Sequence, residues 1–257
     1  MSLSVVATIE DGIDRLTDRR QYTVFLGVAL SHLALTIGTQ SQLAVQPEEL
    51  ASESPFGEEF VPEDLPLALE MPLGGAILLW LAGLLALVTA SLVALRTLRS
   101  SNTSHDPGAL AIATVHGIFA AVLGGVAVAV GLVALVIPGV FLATTLAFTH
   151  VYVAGERANA VEAMRRSWAL TRGNRLRVFG VLVAAVVSFF AITFVGAGVA
   201  VAATVASPVV AELVNVGFTA LAWLFVLAVL TSAFDRLEDA RAREEQKWEG
   251  VDDELLP

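Results

Sequence analysis

Two groups of residues in this chain carry chemistry beyond packing. The first is a cationic run, Arg165, Arg166, Arg172, Arg175 and Arg177, with Trp168 set among them. Guanidinium groups make forked, charge-assisted hydrogen bonds to phosphate oxygens, and tryptophan settles at the boundary between water and hydrocarbon. The combination suits an anionic lipid headgroup. The plainer reading is that these arginines only set orientation across a membrane. The second group is His116 and His150, each inside a long apolar stretch, where an ionisable side chain is costly and therefore a functional candidate. Paired imidazoles can relay a proton or hold a metal weakly. Without a carboxylate at the same depth they make a poor zinc site, and hydrogen bonding between helices is the blander alternative. His32 also lies within an apolar stretch, and Glu212 is expected at headgroup level.

Several chemistries are excluded at once. The chain has no cysteine, which removes disulfides, thiol catalysis and thiolate metal sites. It contains no Gly-x-Ser-x-Gly, no His-Glu-x-x-His and no paired carboxylates within the apolar stretches, so neither an enzyme nor a cofactor is expected. A net charge of −10 argues against nucleic acid as a partner, because phosphates need a basic surface.

The elements that must position these residues are apolar. Of 257 residues 56% are hydrophobic and only 16% charged, with a mean hydropathy of +0.75. The apolar residues arrive in blocks, so the expected fold is an all-α, polytopic helical bundle. A helix crossing hydrocarbon needs about 20 mostly apolar residues with every backbone group paired internally. Six stretches qualify: 22–43, 73–95, 109–137, 140–155, 176–204 and 209–234. Pro138-Gly139 separates the third from the fourth, giving either a tight hairpin or a re-entrant pair. Residues 1–21 form an amphipathic helix with Val5, Ile9, Ile13 and Leu16 on one stripe. Residues 235–257 continue the sixth stretch as an acidic tail that is expected to fray from Val251 onward.

Sidedness follows from the basic residues. All 15 fall before the first stretch, after the second, between the fourth and fifth, or after the sixth, which is one side of a six-span arrangement. Retention of arginine and lysine on the cytoplasmic side then places both termini inside the cell, in the cytoplasmic membrane. The segment 44–72 falls on the other side. It holds eight acidic residues, no basic ones and five prolines, and reads as a solvated, extended loop. Fourteen of the 15 basic residues are arginine and the surface is acidic, the composition expected of a halophile with a GC-rich genome. Arg19-Arg20 before an apolar stretch suggests a twin-arginine signal, but Gln21-Tyr22 and the absence of a small-x-small cleavage site argue for a retained span.

The cationic run sits on its own short helix. Asn159 followed by Glu162 is a capping-box-like start, and Gly173 is placed to end the helix. Over 159–172, Val161, Met164 and Trp168 share one face and the arginines project from the sides, as in a helix lying in the inner interface. The run from Ala163 to Asn174, A-x-R-R-S-W-x-L-x-x-G-N, and then Arg177-Val178-Phe179-Gly180 resemble the polytopic membrane domain found ahead of some bacterial glycerophosphodiester phosphodiesterases, and its free-standing relatives in bacteria and archaea. Pro138-Gly139 and Glu156 fit the same pattern, which covers Ile137–Gly180. In the fused proteins a separate soluble barrel does the hydrolysis. Only Asp235–Pro257 follows the last stretch here, so the resemblance implies a lipid-facing accessory domain rather than that activity.

Packing signals complete the picture. Ala113, Gly117, Ala121, Gly125 and Ala129 recur every fourth residue, as do Ala82, Ala86, Ala90 and Ala94, and Gly180, Ala184 and Ser188. Small residues let helix backbones approach in lipid, so these rows predict a close seam. The expected partners are the lipid bilayer, with anionic headgroups or another membrane protein at the arginine-bearing face.

Overall fold

The computed structural model describes residues 4–18, 21–45, 65–99, 107–156 and 158–255, and among these all regular structure is helical. In chain order the helices are α1 (Val5–Leu16), α2 (Gln21–Val45), α3 (Leu73–Arg99), α4 (Pro107–Ala134), α5 (Val136–Thr145), α6 (Thr149–Glu156), α7 (Ala160–Thr171), α8 (Arg175–Ala203) and α9 (Pro208–Leu255). Six segments are long and apolar enough to cross a membrane: α2, α3, α4, Val136–Gly155, α8 and Pro208–Lys247. They coincide with the six stretches read from hydropathy. Most of the acidic segment, 46–64, lies outside the described residues, as do Arg19, Arg20 and Arg157.

The boundary between the third and fourth stretches differs from expectation. The break is at Leu135, which is extended (φ −163°, ψ 136°), and α5 starts at Val136. Pro138 therefore lies in the first turn of a helix, where its missing N–H leaves no bond unmade. Glycine against glycine closes the corner: a Cβ on Gly131 would lie 2.9 Å from Gly139 Cα. The fourth stretch is itself interrupted. Leu146–Phe148 form a turn between α5 and α6, so Pro138-Gly139 does not mark the only discontinuity.

The row of small residues on α4 also departs from expectation. Ala113 and Gly117 are buried, whereas Ala121, Gly125 and Ala129 are exposed, and no atom would lie within 4 Å of a Cβ on Gly125. The reason is geometric. Each four-residue step overshoots a full helical turn by about 40°, so four steps carry the row almost to the opposite face. The buried stripe instead runs through Ala113, Thr114, Gly117, Ala120 and Gly131.

The chain forms two compact units, 1–21 with 92–187 and 225–257, and 22–91 with 188–224. In the first, α4 packs against α5, α6 and α7. Its aromatic centre is Phe234, met edge-on by Phe148 (5.7 Å between centroids) and Tyr152 (4.9 Å). α1 belongs here but seats a different face from the apolar stripe. Thr8 and Gly12 are buried, a Cβ on Gly12 would lie 3.1 Å from Val229 Cγ2, and Ile13 stays exposed. The continuation of α9 is helical to Leu255 rather than fraying from Val251. Its polar run is rich in helix-forming residues, and one i,i+4 ion pair, Arg241 to Glu245 at 3.0 Å, supports it.

In the second unit α2 and α3 approach through glycine. A Cβ on Gly38 would lie 2.8 Å from the Trp80 nitrogen, and one on Gly83 would lie 2.9 Å from that of Leu35. The buried Gln40 and Ser41 accept the N–H groups of Leu67 (2.8 Å) and Leu69 (2.9 Å), fastening the residues before α3 onto α2. His32 donates from Nδ1 to the Val28 carbonyl at 2.9 Å and meets the Trp223 ring edge-on, while Trp223 Nε1 donates to Ser91 Oγ at 3.0 Å.

Candidate functional site

α7 begins and ends where its caps dictate. Asn159 Oδ1 accepts the Glu162 N–H at 2.9 Å, which satisfies one of the orphan donors of the first turn. Gly173, at φ +84°, takes the left-handed step that stops the helix. Between them α7 has three faces. Ala160, Ala163, Ser167, Leu170 and Thr171 are buried. Val161 and Trp168 are exposed and Met164 half-buried on a second face. Arg165, Arg166 and Ala169 lie on the third.

The buried face carries a residue that sequence reasoning treated only as part of a pattern. Ser167 Oγ donates to the Thr145 carbonyl at 2.7 Å and accepts the Phe148 N–H at 3.1 Å. One hydroxyl thus pairs both backbone groups freed where α5 gives way to α6, and Ser167 itself has no exposed surface. The neighbouring Thr144 and Thr149 turn their hydroxyls back onto Val140 (2.8 Å) and Leu146 (2.7 Å) carbonyls. That cluster of threonines within an apolar stretch was the available signal of an interruption.

At the outward face, Arg175 lies over two rings, 4.6 Å from the Phe141 centroid and 5.0 Å from that of Trp168. The rings themselves meet edge to face at 5.4 Å. Cation–π attraction therefore fixes α7, α5 and the start of α8 together at this corner. Arg172 and Arg177 are exposed beside it; Arg177 donates to Asn174 Oδ1 at 3.2 Å, and Arg172 has no side-chain partner among the described residues. Arg166 pairs with Glu162 one turn back. Arg165 has no side-chain partner among the described residues.

Other arginines, read as orientation signals, are structural. Asp235 of α9 binds Arg15 of α1 at 2.8 Å and Arg99 of α3 at 3.2 Å. Arg99 also reaches Glu238 at 3.0 Å and lies 4.3 Å from the Phe234 centroid. Asp11 accepts from both Ser232 and Arg15. Arg96 donates to the Ala154 carbonyl at 2.6 Å, and Arg236 to that of Ala7 at 2.9 Å. The matching of Asp235 with arginines more than a hundred residues away has no local sequence signal.

The two histidines lie on packed helices. His150 lies on α6, which packs against the α4 helix that carries the half-buried His116. Among the described residues no three histidine or acidic side chains gather as a metal site would require. A groove of about 610 Å³ opens between α6, α7 and α9, flanked by Arg165 and Arg166 on one side and Glu238, Arg241 and Glu245 on the other.

These features define an all-helical protein with six helical segments able to cross a membrane and an arginine-bearing corner built on α7. The chain belongs to the family described as a domain of unknown function, DUF7847, whose model matches residues 3–237. No curated protein and no solved structure matches it significantly.

Proposed function

We propose that this is a non-catalytic multi-pass module of the cytoplasmic membrane, with both termini and the α7 corner on the cytoplasmic side, that gathers anionic lipid headgroups at that corner. The contact of Arg175 with the Phe141 and Trp168 rings, with Arg172 and Arg177 exposed beside it, carries this reading. Aromatic rings at headgroup depth anchor a helix end, and guanidinium groups there meet lipid phosphates. The resemblance to the phosphodiesterase-associated membrane domain supports the same lipid-facing role. Each arginine near an anionic surface contributes about 1 kcal/mol. The protein in mixed nanodiscs is therefore expected to enrich phosphatidylglycerol over phosphatidylcholine, and the Arg172→Gln/Arg177→Gln variant, which removes two such contributions, should lose about thirtyfold of that preference. Equal enrichment around parent and variant, measured by mass spectrometry of the bound lipid, contradicts the proposal.

A second reading, a small transporter or channel, draws on the interruption at Leu146–Phe148, since broken helices often border substrate sites. Its test is solute flux in proteoliposomes that falls on His116→Ala.

A further inference from the structure

The three-faced form of α7 separates two sets of arginines. Arg172, Arg175 and Arg177 serve the corner described above. Arg165 and Arg166 turn a different side toward the projecting part of α9 and, with Arg241, line the groove there. Its volume of about 610 Å³ is within the range of small-molecule sites. The geometry points to a second binding site in this groove, for a phosphate-bearing ligand. The inference rests on the proposed placement of α7 at the membrane surface, which opens the groove to the aqueous side beside the headgroups.

The charges lining the groove are unequally committed. Glu238 is held by Arg99 at 3.0 Å, so its charge is already answered from outside the groove. Among the described residues Arg241 is engaged only with Glu245, one turn away on the same exposed helix surface, with side chains 57% and 64% exposed. The Arg166–Glu162 pair is also an i,i+4 contact, with side chains 43% and 45% exposed. Exposed pairs of this kind hold their partners only weakly. A phosphate offers each guanidinium a forked, doubly charge-assisted contact instead. Arg165 needs no release, because it has no side-chain partner among the described residues. An anion entering the groove thus meets the guanidinium of Arg165, which has no side-chain partner among the described residues, and that of Arg241, which exchanges a weak helix-surface contact for a stronger one. The released Glu245 remains exposed, where water and salt screen it. The neutral floor, including Ala169 and Leu170, gives room for the carbon portion of a phosphate ester.

The ligand phosphate belongs either to a soluble ester or to a lipid headgroup. Isothermal titration of the full chain in a neutral detergent, at matched ionic strength, separates the two with inorganic phosphate in one arm and dihexanoyl phosphatidylglycerol below its micelle concentration in the other. Saturable binding in either arm is expected, with Arg165→Gln/Arg241→Gln weakening it at least tenfold. Glu245→Gln, which frees Arg241 without removing a cation, should tighten it two- to threefold. Arg172→Gln/Arg177→Gln should leave the component that Arg165→Gln/Arg241→Gln removes within twofold, so loss of the corner's lipid preference and loss of this site are read independently. Absence of binding in both arms overturns the inference. So does binding that neither Arg165→Gln/Arg241→Gln nor Glu245→Gln alters.

Discussion

At position 167 a single hydroxyl works in both directions, giving its hydrogen to Thr145 and taking the N–H of Phe148. Both backbone groups would otherwise be stranded away from water, at a cost of about 1–3 kcal/mol each. Ser167→Ala removes donor and acceptor together, so the variant in detergent is expected to lose about 2 kcal/mol or more of stability. A thermal unfolding midpoint equal to the parent's would show that the α5–α6 interruption does not depend on this side chain. The same reasoning explains why the serine stands in a run otherwise notable for arginine and tryptophan. Its neighbours face outward, and Ser167 holds the helix that presents them. Arg99 illustrates the complementary case, a charged residue whose guanidinium lies over the Phe234 ring while pairing with Asp235 and Glu238.

Among the elements, close helix approach is set by Gly38 and Gly83 rather than by the longest run of small residues. At both, the obstacle to a side chain is the backbone of the facing helix, which cannot turn aside as a flexible side chain can. Gly38→Leu and Gly83→Leu are each expected to destabilise by about 2 kcal/mol or more, in line with overpacking in a close-packed core. Gly125→Leu is expected to melt within a degree or two of the parent, since its Cβ would meet nothing within 4 Å. A large loss at Gly125 with tolerance at Gly38 would reverse this assignment of the packing seam. Hydropathy made the six apolar segments legible, because the requirement for about 20 apolar residues is local and length-dependent. The caps of α7 were legible too, since Asn159 and Gly173 act within their own turns. The start of α5, the partner that closes the α5–α6 turn and the buried stripe of α4 were not. Each depends on which residue of another helix supplies a hydrogen bond or leaves space, and a one-dimensional row of alanines holds no such information.

For the whole molecule, the proposed function depends on which side of a membrane the arginine-bearing corner occupies. The acidic, lysine-free segment between α2 and α3 and the cationic segments around α7 and α9 are the two opposed markers. The lack of cysteine makes the protein suitable for single-cysteine labelling without any background substitution. Intact cells expressing Glu58→Cys or Glu244→Cys can be treated with a membrane-impermeant maleimide and compared with permeabilised cells. With termini and α7 on the cytoplasmic side, Glu58→Cys is expected to label in intact cells and Glu244→Cys only after permeabilisation. Labelling of Glu244→Cys in intact cells, with Glu58→Cys protected, would invert the protein and remove the physical basis for anionic headgroup binding on the cytoplasmic side.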